Sequence, residues 1–382
     1  MHPPRIALDM RPVTTTRAGV ATYCRGLARG LAHEAHDERF LLYAKTVPPP
    51  DLDLAGPFHW RAMPAPLWLP LAVPRALRAG RVDLFHGTNH MAPPLAGVPA
   101  VITVHDLGLL SRPREHTWRN RLLTVPQMLL SLHRARRLIA DSRYTAHELT
   151  TRVPGLDPSR IHVVPLAPNA SMAPATPATV RALMGRLDLP RDFFLCLGAL
   201  GHNKNVVTLV RALGQLRAAG DERARLVIAG AEGSREDELH REVRRLGLEP
   251  LVRFTGYVAQ EDLPALFGAA TAFVFPSLFE GFGLPPLEAM ACGAPVICSN
   301  AASLPEVAGD AALLVDPTSA DELAAALRRL LDDAELRARL RGAGLARAAL
   351  FSWERTARET LAVYHAALAD AGRGGDAGPW AR

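Results

Sequence analysis

The sequence is short of the residues that disulfide frameworks, zinc sites and membrane spans require. Its 382 residues include only four cysteines, which are scattered without the paired spacing of a metal site. No uninterrupted apolar stretch reaches the roughly 18 residues that a membrane-spanning helix needs. These absences disfavour a disulfide-rich extracellular domain and an integral membrane protein. They favour reduced thiols in a cytoplasmic protein.

The first residues and the glycine pattern disfavour two further classes of protein. Residues 1–11 lead directly into a strand-like run at 6–8, without the apolar segment and small-residue cleavage site of a secretion signal. We therefore expect a cytoplasmic location. No Gly-x-Gly-x-x-Gly motif follows the first strand of either half, and the segment 230–233 with its two glycines is too short to match that motif. This disfavours an NAD dehydrogenase.

Charge is divided unevenly along the chain. Residues 1–170 hold 21 Lys and Arg against 12 Asp and Glu, a net charge of +9, while the remainder holds 23 against 26, a net charge of −3. This asymmetry predicts an anionic partner for the first half. Because no nucleic-acid-binding motif accompanies the charge, a membrane surface bearing anionic lipid is the better candidate.

Short apolar runs alternate with helical stretches, which predicts parallel sheets built from strand–helix–strand units. A chain of this length exceeds what one core usually supports, so we expect two domains. The predicted strands are 6–9, 40–44, 84–86, 100–105, 138–141 and 161–164 in the first half, and 193–197, 226–229, 252–255, 272–275, 296–298 and 312–315 in the second. Residues 165–190 contain five prolines and the predicted linker.

The segment 277–291 carries the clearest signal for a function. Glu280 and Glu288 lie eight positions apart, the first beside a Gly-Phe-Gly turn and the second in a helix that begins at two prolines. An apolar strand precedes the turn. The amides at the start of a helix favour an anion, and glycines let the backbone approach a ligand closely. The segment therefore predicts a phosphate-bearing ligand with hydroxyl groups that the two glutamates hold.

This arrangement resembles the Glu-x7-Glu signature of the retaining nucleotide-sugar glycosyltransferases of family 4. The resemblance also takes in the segments 19–23, 101–107, 138–145, 197–205, 254–258, 292–297, 304–307 and 312–317. It implies the α/β fold named GT-B, with two Rossmann-like domains whose parallel sheets face each other across a cleft. The implied domains are 1–170 on the acceptor side and 171–350 on the nucleotide-sugar side. A helix at 353–368 packs back on the first domain, and a disordered tail covers 372–382.

The resemblance also implies the site residues. Glu280 and His105 are the catalytic pair, because the family places both beside the sugar carbon that reacts, and Glu288 would hold ribose hydroxyls. The implied donor-binding residues are Gly19, Asp106, Gly198, Asn203, Lys204, Tyr257, Gly281, Phe282, Gly283, Leu284 and Glu288. Structural alternatives stay open for these residues. His105 could be a satisfied strand-end histidine, Lys204 an exposed loop lysine, Glu280 a solvated loop residue, Glu288 a favourable acidic residue in a first helical turn, Gly19 part of an ordinary turn, and Tyr257 a packed side chain.

Two residues depart from the family pattern, and one of them is Ala199, where some members have an arginine. The family usually has an arginine immediately before the lysine of the glycine loop, and this chain has Asn203 before Lys204. Lys204 and Lys45 are the only lysines in the chain. A lysine in this loop can neutralise a diphosphate as a point charge. If the arginine contact is absent, the donor could bind ~10–100-fold more weakly.

The implied reaction moves a hexose, with mannose favoured by the run around His105, from a nucleotide diphospho-sugar to a hydroxyl group. The acceptor would be a glycan or a lipid-linked molecule in cell-surface polysaccharide or glycolipid synthesis. The family implies retention of the anomeric configuration without a metal or other cofactor. Two alternatives stay open: an epimerase or phosphorylase of the same architecture, and a catalytically degenerate carbohydrate-binding partner protein.

The segment 112–137 offers a candidate membrane contact. It holds seven arginines and one acidic residue, interleaved with Trp118 and aliphatic residues. A basic helix with an apolar stripe can lie on a membrane surface. We hypothesise that this segment, with Trp68, meets a lipid-linked acceptor at the inner face of the membrane. The alternative is a helix that faces the core with a solvated arginine edge.

Overall fold

The computed structural model describes residues 2–15, 19–50, 52, 54, 56–112, 117–198, 201–230 and 236–373. Residue contacts divide the chain into two compact units, one of Met1–Ala167 with Ser352–Arg382 and one of Pro168–Phe351. Residues 374–382, which form most of the tail predicted to be disordered, lie outside the described residues. No described helix combines the length and hydropathy that crossing a membrane requires.

The first unit is built on a parallel sheet with the strand order β3-β2-β1-β4-β5-β6-β7. Its strands are β1 Arg5–Asp9, β2 Arg39–Ala44, β3 Phe58–Ala62, β4 Leu84–Gly87, β5 Ala100–Val104, β6 Arg137–Ala140 and β7 Ile161–Val163. Its helices up to this point are α1 Arg11–Thr15, α2 Gly19–Glu34, α3 Val73–Ala79, α4 Gly108–Ser111, α5 Trp118–Arg134 and α6 Arg143–Arg152. The order reverses between β1 and β4, so the carboxyl ends of these strands mark a switch point at which ligands bind in such sheets.

The central strands of this sheet are buried along their length, because helices cover both faces of a parallel sheet. This explains why their sequences read as continuous apolar runs and could be predicted. The edge strand β3 was missed. It pairs with β2 through Phe58–Ala62 and is largely exposed, so its sequence has no apolar run to reveal it.

Trp68 lies in a π-helical turn, Trp68–Ala72, that leads into α3. Its side chain is buried in the first unit's core, and the guanidinium carbon of Arg11 lies 4.4 Å from the centroid of its ring. The hypothesis that Trp68 faces a membrane is therefore wrong. The Pro and Leu residues around Trp68 suggested a surface turn, but the indole of Trp68 packs into the core.

The second unit is built on a parallel sheet with the order β10-β9-β8-β11-β12-β13. Its strands are β8 Phe194–Leu197, β9 Leu226–Ala229, β10 Val252–Gly256, β11 Ala272–Phe275, β12 Val296–Ser299 and β13 Leu313–Val315. Its helices are α7 Pro177–Arg186, α8 Val206–Ala218, α9 Glu236–Arg245, α10 Leu263–Ala269, α11 Leu284–Ala291, α12 Leu304–Ala308, α13 Ala320–Asp332 and α14 Ala334–Ala348. The six predicted strands are present, with ends that differ by one residue at most.

The last helix, α15, covers Trp353–Arg373 and belongs to the first unit. It packs closely on α2 because glycines on that helix leave room for Trp353. A Cβ atom on Gly26 would come within 2.0 Å of the Trp353 ring, and one on Gly30 would come within 2.2 Å of its carbonyl oxygen. Larger residues at these two positions would force the helices apart.

A buried chain of hydrogen bonds joins α15 to the sheet of the first unit. The Tyr364 hydroxyl lies 2.6 Å from His86 Nδ1, and His86 Nε2 lies 2.8 Å from the Thr103 hydroxyl. Thr103 in turn lies 2.8 Å from the hydroxyl of Tyr23 on α2. Burial lowers the pKa of His86 to about 3, so the ring is neutral at physiological pH. These hydrogen bonds form a buried polar network in the core of the first unit, shielded from solvent.

Candidate functional site

The second unit gathers predicted residues where β8 and β11 end. These strands are neighbours at the point where the strand order reverses, which is the usual ligand position in open α/β sheets. Lys204 follows β8 in the 3₁₀ turn His202–Lys204, and Glu280 follows β11. Lys204 Nζ donates a hydrogen bond to Glu280 Oε1 at 2.7 Å. The structure therefore brings the predicted cation and the predicted catalytic carboxylate into direct contact.

Both members of this ion pair are largely shielded from solvent. The side chains of Lys204 and Glu280 are 19% and 16% exposed. Lys204 Nζ also lies 4.6 Å from the centroid of the Phe275 ring, at the end of β11. An ammonium held between a carboxylate and an aromatic ring has a fixed position. The alternatives of an exposed loop lysine and a solvated Glu280 are therefore wrong.

Ser277 and Asn203 hold the two loops of the ion pair together. The Ser277 hydroxyl lies 2.6 Å from Glu280 Oε1 and 2.8 Å from the carbonyl oxygen of Asn203. The backbone N–H of Leu278 donates to the same carbonyl at 2.7 Å. The described contacts of Asn203 thus come from its backbone, which connects the lysine loop to the glutamate loop. Ser277 was missed as a site residue although it lies in the signature segment.

The start of α11 follows Glu280 closely in the chain. Gly283 precedes the helix with a φ of 111°, and the backbone amides of Gly283 and Leu284 have no hydrogen-bond acceptor among the described residues. The buried hydroxyl of Ser303 lies 2.9 Å from the carbonyl oxygen of Glu280 and 2.7 Å from that of Phe282. Ser303 therefore anchors the loop through two of its carbonyl oxygens. A helix start of this kind favours an anion.

Glu288 lies one turn further along α11 and is 9% exposed. Its Oε1 accepts a hydrogen bond from the backbone N–H of Asn169 at 3.5 Å. Burial raises the pKa of Glu288 to about 7, and the Asn169 amide offsets only part of this effect. Hydroxyl groups of a ligand that donate to this carboxylate would stabilise its ionised form. Binding of such a ligand would therefore release a proton near neutral pH.

Three other predicted donor-binding residues lie in loops of the second unit. Gly198 follows β8 with a φ of 139°, and its N–H donates to the Ala229 carbonyl at 3.0 Å. A Cβ atom at Gly198 would lie 3.6 Å from Lys204 Cε, an ordinary contact distance, so it is the positive φ that disfavours a larger residue here. Gly281 lies in the bend after Glu280, and the Tyr257 side chain is 61% exposed. The alternative that Tyr257 is packed is therefore wrong.

The first unit holds His105 at the carboxyl end of β5. Its Nδ1 lies 2.6 Å from Asp141 Oδ2, and its Nε2 lies 2.9 Å from the carbonyl oxygen of Thr88. Both ring nitrogens are thus engaged within the first unit, and the side chain is 11% exposed. The predicted contact of His105 with a donor sugar stays a prediction. The carboxylate partner, Asp141, was not among the predicted site residues.

Two further predicted residues lie in the first unit. Asp106 follows His105, and its Oδ1 accepts a hydrogen bond from the N–H of Gly108 at 2.7 Å. Gly19 is the first residue of α2. A short helix, α1, lies between β1 and Gly19, so this glycine does not follow the strand directly as predicted. The buried Asp9 at the end of β1 accepts hydrogen bonds from the Arg11 guanidinium: Nε donates to Oδ1 at 3.0 Å and to Oδ2 at 3.1 Å, and Nη2 donates to Oδ2 at 2.6 Å.

The cysteines take no part in these clusters as nucleophiles. All four are free and buried. Burial raises the pKa of each thiol to about 12, which leaves the reactive thiolate unpopulated at neutral pH. This agrees with the prediction of reduced thiols.

Family models match both units of the chain. The model described as Glycosyl transferases group 1 matches residues 185–347, and the one described as Glycosyltransferase Family 4 matches residues 17–169. The O-antigen chain mannosyltransferase B of Escherichia coli is 36% identical over 76% of this chain and 76% of its own length. The MMP alpha-(1->4)-mannosyltransferase of Mycolicibacterium hassiacum is 30% identical over 96% of this chain and 98% of its own length.

Solved structures agree on the fold. Sucrose-phosphate synthase from Thermosynechococcus elongatus has a TM-score of 0.75 and 23% identity, and covers 96% of this chain and 100% of its own. HepE from Anabaena, in complex with UDP-glucose, has a TM-score of 0.76 and 21% identity, and covers 95% of this chain and 99% of its own. The predicted pair of Rossmann-like domains with parallel sheets is confirmed. On its two family-model matches and its similarity to these transferases, the chain belongs to glycosyltransferase family 4 and is a glycosyltransferase of the GT-B class.

Proposed function

We propose that this enzyme transfers a hexose, with mannose the favoured sugar, from a nucleotide diphospho-sugar to a hydroxyl group. One observation carries the proposal: Lys204 pairs with Glu280, which lies three residues before Gly283, and the amides of Gly283 and Leu284 that begin α11 have no acceptor among the described residues. A cation and helix-start amides together suit a diphosphate, and a carboxylate suits the positive charge that develops on a sugar carbon. Glu288 supplies a second carboxyl group on the same helix for ligand hydroxyls.

The choice of mannose rests on the relatives. The Escherichia coli and Mycolicibacterium hassiacum proteins are both named as mannosyltransferases, and the name of the first also refers to the O-antigen chain. We therefore propose GDP-mannose as the donor, and a growing glycan or a lipid-linked molecule of cell-surface polysaccharide or glycolipid synthesis as the acceptor.

The proposed reaction retains the anomeric configuration and needs no metal ion. In this mechanism Lys204 and the amides of Gly283 and Leu284 carry the charge of the departing diphosphate. Glu280 lies next to the developing cationic sugar. Lys204 has three N–H donors, so it can keep its hydrogen bond to Glu280 while donating to a phosphate oxygen. The barrier would fall mainly through these fixed charges and dipoles.

Donor identity can be tested by measuring the melting temperature of the purified protein with UDP-, GDP-, dTDP- and ADP-sugars. A ligand that binds only the folded protein stabilises it by ~2.7 kcal/mol at a concentration one hundred times its Kd. We expect the largest increase with GDP-mannose. An increase with another nucleotide sugar only would contradict the proposed donor, and no increase with any of them would contradict the proposed class of reaction.

A degenerate carbohydrate-binding protein is the second candidate, motivated by Asn203 at the usual arginine position. The same purified protein distinguishes the two, because a degenerate protein binds but does not turn over a donor. Release of free GDP from GDP-mannose in the presence of an acceptor would exclude this candidate. An epimerase would consume the donor without any acceptor.

We also propose that the enzyme works at the cytoplasmic face of a membrane, through the first half of α5. There Trp118, Leu122 and Leu123 are 70%, 66% and 69% exposed. Met128 and Leu132, further along the helix, are buried and hold it against the core. Arg119, between the apolar residues, is exposed as well. Three large exposed apolar side chains lie next to an arginine, and residues 1–170 carry a net charge of +9. Both features suit contact with an anionic lipid surface.

Vesicle flotation tests this surface. We expect the wild-type protein to float with vesicles that contain anionic lipid, and the triple variant Trp118→Ser, Leu122→Ser, Leu123→Ser to stay unbound, because it loses apolar contact area worth several kcal/mol. Val47→Ser with Leu350→Ser is the matched control, since these side chains are 72% and 56% exposed elsewhere. A wild-type protein that ignores anionic vesicles would contradict the membrane contact.

A further inference from the structure

Three adjacent strand ends surround the His105 ring. The strands β4, β5 and β6 are neighbours in the sheet, and Val104 is paired with Ala140 in register. The residues that follow this pair, His105 and Asp141, therefore emerge side by side. Thr88, which follows β4, flanks His105 on the opposite side. The fold itself thus aligns a carboxylate, an imidazole and a carbonyl along one edge of the sheet.

The two hydrogen bonds define where the protons of the His105 ring lie. A carbonyl oxygen can only accept, so Nε2 must carry the hydrogen that it donates to Thr88 at 2.9 Å. The other nitrogen, Nδ1, faces the Asp141 carboxylate at 2.6 Å. With an ionised Asp141, Nδ1 carries a hydrogen too, and the ring is a cation. Both hydrogen bonds together prevent the ring from flipping or turning.

We propose that Asp141 is a positioning residue for sugar transfer: its buried carboxylate holds the His105 ring in one orientation with a hydrogen on each nitrogen. The proposal deepens the proposed function and rests on it, because it depends on the predicted role of His105 in sugar transfer. Asp141 acts only through His105 and contacts no substrate itself.

The surroundings of Asp141 argue against a purely structural role. The residue is 1% exposed, and its Oδ1 has no hydrogen-bond partner among the described residues. A buried carboxylate with one unsatisfied oxygen is costly for stability, and an asparagine or a leucine would fill this space at a lower cost. What the carboxylate supplies and those residues cannot is a negative charge next to Nδ1.

Several other titratable groups face the His105 ring. The Tyr23 ring from α2 meets it edge-on at 4.9 Å between centroids, and the His90 ring from the loop after β4 lies at 6.0 Å. Asp106 is the next residue in the chain. His86, on the neighbouring strand β4, also interacts electrostatically with His105. Burial lowers the pKa of both His86 and His90, to about 3 and about 4, so these two rings are neutral near pH 7.

The balance of these effects favours the charged ring. Burial lowers the pKa of His105, but the charge and hydrogen bond of Asp141, with smaller effects of the Thr88 carbonyl and Asp106, raise it above the ordinary histidine value. Asp141 therefore stabilises the doubly protonated form of the His105 ring. Without that carboxylate, burial would dominate and would lower the pKa of His105, which favours a ring with one nitrogen lacking a hydrogen.

The test is Asp141→Asn, which keeps the size of the side chain and removes its charge. We expect kcat at pH 7.5 to fall about 10- to 100-fold, the usual effect of losing one charge-assisted hydrogen bond. The wild-type kcat should fall as the pH rises through the pKa of His105, where the ring loses its second proton, and the variant should lack this fall because burial without the carboxylate keeps its ring neutral. A structural role alone would lower kcat without changing the pH profile. Asp157→Asn, at an exposed turn of the same unit, is the matched control and should leave the pH profile unchanged.

A second measurement does not depend on activity. In ¹⁵N NMR spectra of histidine-labelled protein, with His105 assigned through His105→Gln, we expect the wild-type ring to be doubly protonated at pH 7 and the Asp141→Asn ring to lose this state. A singly protonated wild-type ring at pH 7 overturns the proposal, even if the variant fails to fold. So does an Asp141→Asn enzyme with an unchanged kcat and pH profile. A wild-type protein that transfers no sugar would instead overturn the proposed function.

Discussion

Replacing Glu280 by alanine is expected to lower kcat by about 100- to 1,000-fold, the usual effect of removing a preorganised charge beside a reacting centre. The donor should still bind, because the change frees Lys204 from its 2.7 Å contact with the carboxylate and leaves the ammonium available to phosphate oxygens. We therefore expect the KM for the donor to stay level or to fall while kcat collapses. Initial rates of GDP release over a range of donor concentrations measure both quantities.

Two variants make this experiment specific. Glu280→Gln keeps the size of the side chain and its contact with Ser277 but removes the charge, so it should lose almost as much activity as the alanine variant. Glu249→Ala removes an exposed glutamate of the same unit and should behave as the wild type does. A Glu280→Ala enzyme with near-normal kcat would show that this carboxylate is not at the reacting carbon.

Replacing Lys204 by alanine is expected to weaken binding of the nucleotide diphospho-sugar ~10–100-fold, because a hydrogen bond to a charged group contributes ~1.5–3 kcal/mol. This loss should depend on the diphosphate. The corresponding nucleoside, which lacks phosphate, should bind both proteins with the same affinity. Isothermal titration calorimetry with donor, nucleoside diphosphate and nucleoside separates these contributions.

The other lysine of the chain provides the control. Lys45 is exposed and follows β2 in the first unit, so Lys45→Ala changes the net charge by the same amount without touching the site. Because the Lys204–Glu280 pair is largely shielded from solvent, Lys204→Ala also leaves the Glu280 carboxylate without its cation, so the melting temperature of the variant should be measured beside its affinity. Equal loss of affinity for the nucleoside and for the donor would mean that Lys204 supports the loop and not the phosphates.

The sequence predicted the fold well where physical signals are local. Strands buried on both faces must be apolar along their length, so their positions could be predicted to within one or two residues at each end. The site segment at 277–291 was predictable for the same reason, since a strand, a glycine turn and a proline-led helix follow one another directly in the chain. The exposed strand β3 lacked that signal, because only its pairing with β2 makes it a strand.

The missed features depend on residues that are far apart in sequence. Asp141 becomes the partner of His105 only because β5 and β6 pair in register, which places residues 36 positions apart side by side. Ser303 supports the glycine loop from a separate helix start, 21 positions beyond Phe282. The orientation of Trp68 was mispredicted because a turn rich in Pro and Leu gives no periodicity from which to infer a buried face.

The most direct test of the proposed site is a crystal structure of the protein with a nucleotide diphospho-sugar bound. We expect diphosphate oxygens within about 3 Å of Lys204 Nζ and of the amides of Gly283 and Leu284, with Glu280 next to the sugar ring and Glu288 on the ribose hydroxyls. The account would be contradicted if the diphosphate of the donor lay away from the start of α11 and the donor made no contact with an unchanged Lys204–Glu280 pair.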